Sequence, residues 1–179
     1  NYTEYGEAAA DRPSLFIVHG LYGSGRNWGV IAKRLSDTRQ VIAVDQRNHG
    51  ESPRFDTHTY PEMADDIAEV IEAHGAHADL LGHSMGARVA IRAAAHDARQ
   101  MARVLLIDPP VSGPGRRSYP YPLDLYVNSI RAAVQGITAE ALRAFTPTWT
   151  DEQLRLRAQW LHTCDEAAVV QAHRGFHED

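Results

Sequence analysis

The stretch His77-Ala78-Asp79-Leu80-Leu81-Gly82-His83-Ser84-Met85-Gly86 decides the fold of this chain. His77 to Leu81 reads as a short buried strand, Gly82 to Gly86 has the pattern G-x-S-x-G, and Arg88 to Ala95 is rich in helix formers. A strand that turns this sharply into a helix leaves one side chain standing clear of the sheet. The flanking glycines let backbone pass where a Cβ would collide. Ser84 is therefore the predicted nucleophile.

Working outward, Leu15-Phe16-Ile17-Val18, Val41-Ile42-Ala43-Val44 and Val104-Leu105-Leu106-Ile107 are further apolar runs without alternation. Such strands are usually covered on both faces, as in parallel sheets. Helical spacing lies between them, in Trp28, Ile31, Ala32 and Leu35 and again in Met63, Ile67, Val70, Ile71 and His74. Thr59 and Glu62 have the spacing of a capping box. Alternating strand and helix predict an open α/β sheet, mostly parallel.

After Asp108 the pattern changes. Pro109-Pro110 and Ser112-Gly113-Pro114-Gly115 break it, and only helices are predicted from Leu123 onward. Their faces are Tyr126, Val127, Ile130, Ala133 and Val134, then Leu154, Ala158 and Leu161, then Val169, Ala172, His173 and Phe176. Thr150 with Gln153 and Thr163 with Glu166 are two more capping-box spacings. The expected organisation is a sheet core over residues 1–111 and a helical lid over residues 112–179.

A serine hydroxyl needs a base and a pair of donors for the oxyanion. The backbone N–H of Met85 is one donor. The second is expected from the loop His19-Gly20-Leu21-Tyr22, with Leu21 preferred and Tyr22 as the fallback. The acid is expected at a strand end, where Asp108 follows the serine in chain order and Asp45 competes. No strand is visible after residue 107 to carry a histidine loop. The base is therefore expected beyond Asp179, with the remaining core strands, so that residues 1–179 alone are expected to be inactive.

The chain has 179 residues, a net charge of −5 and no apolar run long enough to span a bilayer. Neither a nucleic-acid surface nor a membrane partner is expected. Cys164 has no partner for an internal disulfide and no secretory leader is visible, which predicts a reducing, cytoplasmic location. His74-x-x-His77 crosses a glycine without a nearby carboxylate pair, so no metal is expected.

Gly20, the run Asp45-Gln46-Arg47-Asn48-His49-Gly50-Glu51-Ser52-Pro53, the elbow and the strand ending in Asp108 together resemble the α/β-hydrolase superfamily. The segments Gly82 to Ala95, Asp108 to Arg117, Thr148 to Leu154 and Trp160 to Cys164 resemble the N-formylmaleamate deformylase family within it. That resemblance implies a cofactor-independent amide hydrolase of nicotinate breakdown, releasing formate, with Ser84 as nucleophile and Asp108 as acid. It implies a small carboxylated substrate, with Arg88, Arg116, Arg117 and Arg131 as candidate cations and Tyr22, Tyr119, Tyr121 and Trp160 as candidate walls. The run Arg47 to Pro53 looks more like short-chain acyl esterases, so a carboxylesterase or thioesterase is the alternative, and a non-catalytic binder a third reading.

Overall fold

The computed structural model describes residues 1–75, 77–144 and 146–178. Apolar tetrads form the middle of a five-stranded sheet whose strands are β1 (Tyr2–Tyr5), β2 (Leu15–Val18), β3 (Val41–Val44), β4 (Ala78–His83) and β5 (Met101–Ile107). Their order is β1-β3-β2-β4-β5. β3, β2, β4 and β5 run parallel, and β1 pairs antiparallel with β3. β1 is a strand the periodicity does not predict. Its four residues are mostly exposed, and its identity rests on pairing with β3 rather than on a buried face.

β2 and β3 are buried at every position, as continuous apolar runs in a parallel sheet should be. β5 departs from that expectation. Val104, Leu105, Leu106 and Ile107 remain 37–44% exposed, because β5 pairs with β4 alone among the described strands.

Helix α1 (Gly29–Leu35) touches the sheet through Ala32, while Ile31 and Leu35 stay outside the core. The small side chain lets a two-turn helix lie close to the sheet and leaves Ile31 to line a cleft. Helix α2 (Tyr60–Ala73) opens on the expected box, with the Glu62 carboxylate accepting from the Thr59 N–H at 2.9 Å. Helix α3 (Met85–His96) starts directly at the elbow.

Four helices follow among the described residues: α4 (Leu123–Val134), α5 (Ala139–Leu142), α6 (Asp151–Trp160) and α7 (Glu166–Glu178). α6 opens on the expected Thr150–Gln153 box. The Thr163–Glu166 box does not form. The chain makes a 3-10 turn through Leu161–Thr163, Thr163 Oγ1 donates to the Trp160 carbonyl, and Asp165 caps the helix by accepting from the Ala168 N–H at 2.8 Å. One apolar cluster joins Phe16, Met63 and Val89 to Ile130, Leu154 and Phe176, so residues on both sides of position 111 share a core. Val134 lies outside the buried face of α4. No helix among the described residues is long and apolar enough to cross a membrane.

Candidate active site

The site is assembled at the C-terminal ends of three neighbouring parallel strands, where open α/β sheets place their ligands. β4 ends at His83 and hands over to Ser84, whose φ of 52° lies in a region unfavourable to a side chain. The Ser84 N–H donates to the Ile107 carbonyl at 2.9 Å. A Cβ on Gly82 would collide with the Gly86 carbonyl, and one on Gly86 with the Val18 carbonyl. These two glycines let the elbow close against β2, which holds the strained serine in place.

β2 ends at Val18 and continues into His19-Gly20-Leu21. A Cβ on Gly20 would stand 3.0 Å from the Ser84 Cβ and 2.9 Å from His83 Nδ1, so this loop lies directly against the elbow. The Gly20 carbonyl is 2.8 Å from His19 Nδ1 and accepts the Gly23 N–H at 3.0 Å. His19 Nε2 accepts the Gln46 N–H at 3.0 Å, which assigns the proton to Nδ1. In a trans peptide the carbonyl and the following N–H point in opposite directions. Pinning the Gly20 carbonyl therefore fixes the direction of the Leu21 N–H. Leu21 itself is buried in the core, and Tyr22 takes a φ of 42°.

β5 ends at Ile107, and Asp108 follows with a φ of 46°. Because Ile107 holds the Ser84 N–H, Asp108 leaves the sheet beside Ser84. Its charge reaches His83 and Tyr119: burial lowers the His83 pKa, with Asp108 opposing, and burial raises the Tyr119 phenol. Asp45, at the end of β3, is occupied. Its carboxylate accepts the Gly25 N–H at 2.7 Å, the Glu51 N–H at 3.0 Å and the Asn1 side-chain amide at 3.1 Å.

The candidate pocket residues differ in what holds them. Arg88 is only 9% exposed, and its guanidinium donates to the carbonyls of Pro110, Ser112, Gly175 and Phe176. It ties α3 to the end of α7 and is not available to a substrate carboxylate. Arg131 is held bidentately by Glu166, at 2.6 and 2.8 Å. Arg116 and Arg117 sit exposed in the loop after Asp108. Tyr22 packs edge-on against Tyr126 at 4.9 Å, and the Tyr126 hydroxyl meets that of Tyr119 at 2.8 Å. Trp160 lies under Arg26, with 5.4 Å between guanidinium carbon and ring centroid.

A cation that the sequence reading passes over, Arg157 on α6, borders the loop after β2. It lines a cavity of about 240 Å³ together with Gly20, Leu21, Trp28, Ile31 and His83. Sequence reasoning does not find it, because one arginine among several on an exposed-looking helix carries no motif. Only tertiary packing brings α6 over the loop after β2.

Among the described residues, no histidine is within hydrogen-bond distance of the Ser84 hydroxyl. Three histidines form a buried row instead, with ring centroids 5.1 Å apart for His19 and His49 and 5.2 Å for His49 and His58. Burial holds all three neutral, lowering His19 and His58 to about 4 and His49 well below its usual value. An unfolded chain takes up these protons near pH 6.5, whereas in the folded chain His19 and His58 resist until about 4 and burial holds His49 down in the same direction. Stability is therefore complete above pH 6.5 and is expected to fall steadily as pH drops towards 4. His49→Gln and His58→Gln variants should flatten that slope in urea titrations taken between these pH values. A slope unchanged in both variants contradicts the assignment.

This fold and this elbow define an α/β hydrolase, and residues 13–175 match the model of the α/β hydrolase fold family, so the chain belongs to that family. It is 48% identical over 169 residues to N-formylmaleamate deformylase of Pseudomonas putida, covering 92% of this chain and 63% of that protein. It is also similar to the crystal structure of a serine-to-alanine variant of the N-formylmaleamic acid deformylase of Pseudomonas putida S16. The TM-score is 0.92 and the identity 42%, over 99% of this chain and 69% of that one. Esterase YbfF of Escherichia coli is 38% identical over 95 residues, covering 52% of this chain and 37% of that protein. The chain thus spans just under two thirds of the deformylase and well under half of the esterase.

Proposed function

We propose that the protein is a serine hydrolase of N-formylmaleamate or a closely similar small carboxylated amide. The observation that carries the reading is the juxtaposition of Ser84, in its strained elbow, with the pinned Gly20–Leu21 peptide. The similarity to N-formylmaleamate deformylase over most of this chain supports the choice of substrate.

In this reading Ser84 Oγ attacks the formyl carbon. The N–H groups of Met85 and Leu21 receive the oxyanion, each contributing about 3 kcal/mol to the transition state. A general base takes the serine proton and delivers it to the amide nitrogen, releasing maleamate. Water then attacks the formyl-serine and frees formate. Asp108 orients and supports the base. Because no described histidine hydrogen-bonds the Ser84 hydroxyl, this reading takes the base from outside the described residues.

The test measures formate released from N-formylmaleamate by the protein expressed from its entire reading frame, alongside hydrolysis of p-nitrophenyl acetate. Formate release supports the deformylase reading. Ester hydrolysis without formate release favours the esterase suggested by the similarity to YbfF. Residues 1–179 alone are expected to turn over neither substrate. Multiple turnover by that piece would put the base inside it, with His177 and His162 the first positions to mutate.

A further inference from the structure

We propose that Arg157 is the specificity residue that holds the substrate's carboxylate, an inference that rests on the carboxylated-amide reading above. One of its amino groups, Nη1, donates to the Tyr22 carbonyl at 2.9 Å. The guanidinium carbon lies over two rings, 4.8 Å from the Tyr22 centroid and 5.1 Å from that of Trp149. These contacts leave most of its five donors without a protein partner among the described residues.

Its neighbours on the lid differ. Arg131 is neutralised by Glu166 and Arg143 by Asp151, whereas no carboxylate lies within ion-pair distance of Arg157 among the described residues. The position also suits a ligand. Arg157 borders both the cavity against Gly20, Leu21 and His83 and a second one of about 380 Å³ walled by Trp149, Leu156 and Trp160. A guanidinium stacked on aromatic rings and partly removed from water binds a carboxylate through paired N–H groups. The Tyr22 carbonyl that orients it belongs to the loop that carries the Leu21 N–H. The guanidinium is thereby held by the same loop that presents Gly20 to Ser84 and carries the Leu21 N–H.

The experiment compares maleamate, which carries one carboxylate, with maleamide, its uncharged diamide, by calorimetric titration of the protein expressed from its entire reading frame. Maleamate should bind about 10- to 100-fold more tightly, as expected for a charged hydrogen-bonded pair. In Arg157→Gln that preference should fall close to one, and in Arg157→Lys, which keeps charge but not the fork, it should be intermediate. Arg155→Gln, on the exposed side of the same helix, should keep it. A merely structural role for Arg157 would weaken both ligands together and leave their ratio unchanged. An unchanged ratio in Arg157→Gln, or no preference in the unaltered protein, overturns the proposal. If Arg157→Gln fails to fold, an unchanged ratio in Arg157→Lys does the same. The ratio is independent of turnover, so absence of formate release from N-formylmaleamate counts against the deformylase reading alone.

Discussion

Replacing Ser84 with alanine is expected to lower kcat by about four to six orders of magnitude in the protein expressed from its entire reading frame, with little change in thermal stability. In the proposed mechanism the loss is large because nucleophile, base and acid act as one unit. Removing the attacking oxygen leaves only what the oxyanion donors and binding supply. Stability should hold because the Ser84 side chain makes no capping hydrogen bond to α3. The backbone at φ 52° is imposed by the close packing of Gly82 and Gly86, and alanine inherits the same strain. Steady-state kinetics, a thermal melt and labelling by a fluorophosphonate check this together. The unaltered protein should label stoichiometrically at Ser84 and the variant should not. Near-normal turnover by the alanine variant removes the elbow from the mechanism.

Asp108→Asn is expected to lower kcat by about 10⁴ while the protein melts normally, because an asparagine lets the base adopt the wrong tautomer. Asp45→Asn should do the reverse. Its carboxylate receives three N–H groups from Gly25, Glu51 and Asn1, and an amide in its place turns one acceptor into a donor facing donors. A loss of about 1–3 kcal/mol is expected for such a mismatch in a buried group, with kcat much less affected than in Asp108→Asn. Measuring kcat and unfolding free energy for both variants separates the roles. An inactive but fully stable Asp45→Asn, beside an active Asp108→Asn, reverses the assignment.

The difference between these aspartates was only half legible in the sequence. Both end parallel strands, and chain order favoured Asp108. What occupies Asp45 comes from two directions: Glu51, in the loop that follows β3, and Gly25, in the turn before α1, each donate to one of its oxygens. No local pattern encodes that convergence. The capping boxes teach the same lesson. Thr59 with Glu62 and Thr150 with Gln153 form as their spacing predicts. Thr163 with Glu166 fails because a 3-10 turn delays the helix and Asp165 meets the free N–H groups first.

By itself the sequence determined the parallel strands, the elbow, the helices that follow it and the position of Ser84. These follow from apolar runs, glycine placement and helix-forming composition within short windows, where local preference and final structure agree. Only the tertiary structure decided which cation faces the cleft. Arg88 and Arg131 were as plausible in sequence as any other, but one is consumed by backbone carbonyls and the other by Glu166. Arg157 emerges because α6 lies across the loop after β2, 135 residues away in the chain. A charged side chain's role depends on what its neighbours leave unpaired, and those neighbours come from elements distant in sequence. That balance exists only once the helices after Asp108 have packed onto the sheet.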